Sequence, residues 1–491
     1  MSHAAKILRS HVKPLASVTK LKALPFERLP GPLRISFLGP LNEAIQLGNP
    51  KTLRHSVHHQ LHLKISNYHE KYGPMFKVKL SKVDAVFINN PEMMRTVFDY
   101  EGKYPKHPLP ETWRYFNRKH NCKRGLFFMD NEEWFQYRKF LNQHLMRDVK
   151  WMEGPVKWIC DRTVDNLPKH CESIVEDYRL FEISDIESIL YKWSIEVILG
   201  IMLGNSYNDK SAMRLNDLVD KFSNIVYQIF QHSSNLMTIP PYLADRLKLD
   251  AWKKFEMIVP ETLSIANQII DTSLDDFEQG DGLLSKLQDS ITSRDDIKRI
   301  FADFIIAAGD TTSFGTLWCL YLLAKYPSMQ EQVYVSITGN DLESPLVRGT
   351  IKEALRLFPV APFIGRILEK DAIIGSYCIP KNTLALLSLY TAGRDAANFY
   401  RPEDFLPHRW IRENDNSMPF SPFHANASLP FAIGSRSCIG RRIALYQMQF
   451  LLSKIMKKYR ITVDNDTYIE AELNLVTVPK SKFKIVFERR E

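Results

Sequence analysis

Nowhere in the 491 residues do two cysteines stand as a CxxC pair; Cys122, Cys160, Cys171, Cys319, Cys378 and Cys438 are scattered singly. That spacing argues against a disulfide framework or a structural zinc site. It fits reduced thiols in a cytosolic or matrix compartment, most of them acting as small buried hydrophobes. No apolar run of about 20 residues precedes the first proline cluster, so no signal anchor is expected there. Internal repeats, low-complexity tracts and recognised nucleic-acid motifs are all missing. The formal charge of +9 therefore points to an acidic partner or an anionic surface rather than to nucleic acid. Acidic residues are absent from positions 1–26, which carry Lys6, Arg9, Lys13, Lys20 and Lys22; Glu27 is the first acid. A basic, acid-free start filled with Ser, Ala and Leu is the composition of a mitochondrial transit peptide, expected over residues 1–28. The plain alternative is a short basic tail.

What is present reads as an ordinary folded protein, since 45% of residues are hydrophobic and 25% charged. Prolines at 25, 30, 32 and 40 form a rigid link after the basic start. Residues 76–80 and 83–88 have the alternation of a short hairpin. From 130 to 360 apolar residues recur at spacings of three and four, which predicts helices, broken by an acidic surface loop at 271–282. Short strands are expected at 366–391, irregular chain at 398–430, and a final helix from near Cys438 to about Tyr459. The expectation is one large, mainly α domain over 29–491, in which two distant sets of small β elements meet.

Two segments carry chemistry. The first is Phe431-x-x-Gly434-x-Arg436-x-Cys438-x-Gly440, which has the pattern of a haem-ligating thiolate loop. A thiolate pushes electron density onto iron and favours O–O cleavage. Gly434 and Gly440 let backbone N–H groups approach the sulfur. Arg436 is a bidentate cation suited to a haem propionate. The helix that follows is expected to lower the Cys438 pKa through its positive end. The second segment is a long apolar helix over 297–325, capped by Ser293 with Asp296 three residues on. Asp310 and Thr311 lie inside it, where polar groups are costly without a reason. A transmembrane helix is the alternative, opposed by Asp303 and Asp310.

These two segments resemble the haem-binding signature and the oxygen-activation helix of the cytochromes P-450, in the order that family has them. The resemblance runs from about residue 30 to the C-terminus. It implies a prism-like, mostly α fold holding haem b through Cys438, with Asp310 and Thr311 as the catalytic pair that delivers protons during oxygen activation. Gly309 and the small alanines beside it would leave room above the iron. The family carries glycine where Ala308 stands, which would shift its helix bulge. Glu353 and Arg356, with Arg409 downstream, resemble the Glu–Arg–Arg network that locks the fold behind the haem. Trp134, Arg138 and Arg366 stand where the family binds the propionates. As single residues, each reads as a core tryptophan or an ordinary arginine.

Arg348 and Lys352 share a helix face and resemble the ferredoxin-binding positions of the mitochondrial branch. Arg441, Arg442, Lys454, Lys457 and Lys458 add to the basic proximal face. The resemblance thus implies an acidic ferredoxin with its NADPH reductase as partner, and a site on the matrix side of the inner mitochondrial membrane. It also implies a small apolar substrate under 104–128, 205–245, Phe363 and Ile364, and peripheral membrane contact near 236–242. Within the branch the insect ecdysteroid 2-hydroxylases are the nearest match, so the expected reaction is hydroxylation of a steroid-type ecdysteroid precursor. Two rivals remain at this stage. One is a haem-thiolate isomerase or dehydratase that needs no external electrons, and the other is a non-catalytic haem protein.

Overall fold

The computed structural model describes residues 23–32 and 59–490, apart from 81–82, 148–149, 172–178, 238, 276–280, 289–292, 338–343, 412–420 and 464–467. Most of the leader segment lies outside these residues. Among the described residues twelve short strands form four small sheets. They are β1 (Leu24–Pro25), β2 (Met75–Leu80), β3 (Val83–Ile88), β4 (Leu180–Ile183), β5 (Phe363–Ile367), β6 (Ala372–Ile374), β7 (Tyr377–Ile379), β8 (Leu384–Ser388), β9 (Tyr459–Thr462), β10 (Ala471–Asn474), β11 (Val476–Pro479) and β12 (Ile485–Arg489). The strand orders are β1-β7-β6, β2-β3-β8-β5, β4-β12-β9 and β10-β11.

The expected hairpin is β2 against β3, antiparallel from Met75 opposite Ile88 to Leu80 opposite Val83. β3 then runs parallel to β8, pairing Ala85 with Leu384 and Ile88 with Leu387. The distant β segments therefore meet in one domain, as expected. β1 pairs parallel with β7, and Leu29 is buried in the core cluster that includes Val86, Ile374 and Leu387. The folded chain thus reaches back at least to Leu24, inside the stretch that composition assigns to a leader.

The helices that build the site are α1 (Leu61–Tyr72), α2 (Glu111–Lys119), α3 (Asn131–Leu145), α4 (Glu153–Asn166), α5 (Ile186–Leu203), α6 (Asp209–Asn235), α7 (Asp250–Asp275), α8 (Arg294–Lys325), α9 (Pro345–Leu357) and α10 (Arg441–Lys458). α7 runs through Asp275, so the expected loop begins later than 271; residues 276–280 of it lie outside the described residues. Ser293 caps α8 by accepting the Asp296 N–H at 3.3 Å, and Pro327 follows its end, where no helical N–H can be offered. Pro345 opens α9 after the Ser344 cap, a position where its missing N–H costs nothing. α8 threads the largest core cluster and packs against α5, α9 and α10.

Behind that core lies the Glu–Arg–Arg network. Glu353 Oε1 accepts from Arg356 Nη2 at 2.7 Å, Arg409 Nε at 2.9 Å and the Leu406 N–H at 3.0 Å. Its Oε2 accepts from Arg356 Nε at 2.9 Å and Trp410 Nε1 at 2.8 Å. Arg356 completes its donor set on the carbonyls of Gly393, Pro402 and Asp404. All three charged side chains are fully buried. Charges can stay in a core only when their donors and acceptors are satisfied to this degree.

Candidate functional site

The Cys438 loop leads directly into α10. The Cys438 N–H donates to Phe431 O at 2.9 Å and Ser437 N–H to Gly434 O at 3.1 Å, closing a tight turn in which Gly434 has φ of +80°. A Cβ at Gly434 would collide with the Glu101 carboxylate. The Cys438 side chain is accessible, although the surrounding protein desolvates it. Burial raises its pKa; the Gly440 N–H, Arg138 and Arg441 pull the other way without winning. The expected lowering by the helix end is therefore corrected for the free thiol: desolvation outweighs the nearby donors and cations.

Around this loop the structure gathers the other sequence-selected residues. Trp134 and Arg138 sit buried on one face of α3. Arg138 Nη2 donates to Ser437 Oγ at 3.3 Å, fixing α3 against the loop. The Arg436 guanidinium stacks 4.2 Å over the Trp134 ring and donates to Pro105 O, Met129 O and Asp130. Arg366, on β5, donates to Glu101, whose other oxygen accepts the Ser435 N–H at 3.2 Å. Burial lowers the Arg138 pKa to about 10 and, with the nearby arginines, that of Arg436 to about 10.

Two residues here were missed by the sequence reading. Glu101 is a lone acid whose role arises only from tertiary contact. His107 is half-buried near Arg436 and Arg366; desolvation and then these two cations push its pKa to about 3, so it is neutral. Only its position in the 104–128 pocket loop hinted at it.

This donor set fits the two carboxylates of haem b. Arg138 Nε and Arg366 Nη2 are buried without a protein partner. Three guanidiniums face only Glu101 and Asp130 as acids. Unpaired buried donors beside an accessible cysteine are what an anionic, iron-bearing ligand would satisfy.

α8 carries the other sequence-selected pair. Across residues 305–324 every position is buried except Ala307 and Thr311, one turn apart. Thr311 Oγ1 donates to Ala307 O at 2.8 Å. Asp310 is buried, both its oxygens lack a partner, and desolvation raises its pKa well above the usual carboxylate range. The helix is continuous through this stretch. Gly309 does not open space beside Thr311. A Cβ there would lie 3.4 Å from Tyr191 on α5 and Val226 on α6, so the open face belongs to Ala307 and Thr311.

On the surface of α9 the exposed positions past the first residue are Arg348 and Lys352. Lys352 Nζ lies 5.6 Å from the Trp410 ring centroid. The expected extension of this basic face along α10 is only partial. Lys454 pairs with Asp161, and Lys458 with Asp165 at 2.7 Å, both across to α4.

The cytochrome P450 family model matches residues 39–487. Cytochrome P450 315a1, mitochondrial, of Drosophila melanogaster is 39% identical over 96% of this chain and 89% of its own length. Human sterol 26-hydroxylase, mitochondrial, is 29% identical over 88% of this chain and 85% of its own. The mitochondrial cholesterol side-chain cleavage enzyme of Oncorhynchus mykiss is 28% identical over 83% and 81%.

Proposed function

The chain belongs to the cytochrome P450 family of monooxygenases, and we propose that within it this protein is a mitochondrial steroid hydroxylase fed by an acidic ferredoxin. The observation that carries the oxygenation chemistry is the Asp310–Thr311 pair on α8. It joins a buried carboxyl whose pKa desolvation raises to an accessible hydroxyl, on a stretch of α8 (305–324) that is otherwise buried apart from Ala307. Haem b, when bound, supplies the redox iron that activates dioxygen, so that one oxygen atom enters a C–H bond and the other leaves as water.

The protein's own residues do the rest. Cys438 is the iron ligand. Arg138, Arg366 and Arg436, with Trp134, hold the propionates through charge-assisted hydrogen bonds in a desolvated setting. Burial disfavours the charged form of Asp310, so it holds its proton to higher pH than an ordinary carboxyl. The Thr311 hydroxyl, now donating to Ala307 O, can turn its O–H toward the open face it shares with Ala307. The small side chain of Ala307 leaves that face open.

A steroid-type substrate is supported by the relatives, two of which are named for sterol or cholesterol chemistry. The narrower reading, an ecdysteroid precursor, rests on the resemblance of the segment at 307–312 and the acid-free leader to the insect ecdysteroid hydroxylases. Relatives named as mitochondrial support import, with a leader ending before Leu24 and the enzyme acting on the matrix side of the inner membrane. Arg348 and Lys352 are the proposed ferredoxin site, with NADPH as the electron source through a reductase. Among the described residues no helix is long and apolar enough to cross a membrane. Exposed Met237, Tyr242, Leu243 and Leu247 support peripheral contact with a bilayer.

The test is the carbon-monoxide difference spectrum of the reduced protein beside Cys438→Ala. It is followed by turnover of 2-deoxyecdysone with NADPH, ferredoxin reductase and ferredoxin. A red-shifted Soret band in the wild type alone, and hydroxylation that needs the whole electron chain, are expected. Product formation without any electron donor would replace this reading with an isomerase.

A further inference from the structure

Arg124 sits in the loop between α2 and α3 with its side chain 4% exposed. Its guanidinium lies against two adjoining aromatic rings, 4.9 Å from Trp113 and 4.8 Å from Phe128. One edge is committed: Nε and Nη2 donate to Asp303 Oδ1 at 2.9 and 2.6 Å, and Asp303 Oδ2 accepts the Gly125 N–H at 2.8 Å. The other edge is not. Nη1 is buried and has no acceptor. A clamp between loop and helix needs only the first edge, so the clamp does not account for the second. A buried donor without a partner costs free energy in the folded protein unless something else supplies the acceptor.

Its position says what that could be. Asp303, Ala307 and Thr311 follow one another at spacing four on α8, and the last two are the open positions. Asp303 therefore stands about 12 Å along the axis from Thr311, eight residues at about 1.5 Å each. The wall continues through aromatic contacts, since Phe128 touches Phe127 at 5.2 Å and Phe127 is 51% exposed. A long, rigid, mostly apolar molecule with one end at Thr311 would bring its other end toward Arg124.

We propose that Arg124 is a specificity-determining residue whose Nη1 hydrogen-bonds a hydroxyl or ketone oxygen at the end of the substrate remote from the attacked carbon. The proposal rests on the steroid reading above and narrows it to steroids oxygenated at both ends. A site built to bond such an oxygen rejects the analogue that lacks it, because the buried N–H is then left unpaired.

The test uses the haem-loaded full chain, wild type and Arg124→Lys, titrated by the substrate-induced Soret shift with cholesterol and 25-hydroxycholesterol, which differ only in a side-chain hydroxyl. Lysine keeps a cation for Asp303 but loses the second edge. The ratio of the two dissociation constants within one protein does not depend on how much of it folds. Wild type is expected to favour the hydroxylated sterol by about 10- to 100-fold, and Arg124→Lys to bring the ratio near one. A wild-type ratio near one overturns the proposal without any variant. A variant that weakens both sterols equally also overturns it, leaving Arg124 as a clamp only. Binding of neither sterol by a wild type with an intact carbon-monoxide spectrum overturns the steroid reading itself, and the anchor with it.

Discussion

Thr311 donates its hydroxyl to the carbonyl of Ala307, 2.8 Å away and one turn back along α8. Both residues are open where their neighbours are buried, so the hydroxyl is stored on the backbone beside the space where oxygen chemistry is proposed. Thr311→Ala is expected to fold and bind haem normally while product per NADPH consumed falls, with product formation reduced by about 10²-fold. Thr311→Ser keeps the hydroxyl and should retain most of the coupling. Unchanged coupling in Thr311→Ala, measured as product against NADPH, would remove the hydroxyl from the mechanism.

Asp310 makes a second, thermodynamic statement. Desolvation raises its pKa in the fold, and nothing in the protein pairs with it. The unfolded chain ionises it at the ordinary carboxyl value, so the folded state holds the proton to higher pH. Such a group leaves stability untouched below the unfolded pKa and costs stability progressively as pH rises above it. Asp310→Asn, which cannot ionise, is therefore expected to melt higher than wild type at pH 7, with the gap closing towards pH 4. Turnover should fall in the same variant. Melting curves between pH 4 and 8 check this, and a variant less stable at pH 7 would show that Asp310 is ionised and paired.

Much of this site was readable before any fold was known, and the reasons differ by residue. Cys438 stood out because two glycines and an arginine at fixed spacing have no simpler use. Asp310 and Thr311 stood out because polar groups in an apolar helix need a cause. Gly309 was misassigned by helix phase: a turn of about 100° per residue points it at Tyr191 and Val226, away from Ala307 and Thr311. Glu101 and His107 carry no local pattern, and only the meeting of β5, the 104–128 loop and the cysteine loop gives them a role. Lys454 and Lys458 looked like free surface charge because their partners, Asp161 and Asp165, lie about 290 residues earlier in the chain. β1 was hidden inside a leader-like composition, since a two-residue strand has no periodicity to read.

Glu353 accepts five hydrogen bonds in full burial, so its removal should be structural rather than kinetic. Glu353→Ala leaves Arg356 and Arg409 as unpaired buried cations, a loss of about 3–5 kcal/mol. Expression without a folded, haem-binding product is the expected outcome. Wild-type melting behaviour in that variant would mean that the carbonyls around the two arginines suffice on their own.

Arg348 and Lys352 are exposed on α9, whereas Lys454 is half-buried on α10 and lies against Asp161 of α4. Equal charge at these positions should thus have unequal consequence for an acidic electron carrier. Arg348→Glu and Lys352→Glu are each expected to raise the ferredoxin KM about tenfold at low salt, with kcat little changed and the effect shrinking at high ionic strength. Lys454→Ala removes a charge already neutralised by its neighbour and should leave the ferredoxin KM within about twofold of wild type. Steady-state reduction assays over a salt series compare all three. If Lys454→Ala raised KM as much as Lys352→Glu, the carrier would be responding to net charge over the whole proximal side, and the local site on α9 would have to be given up.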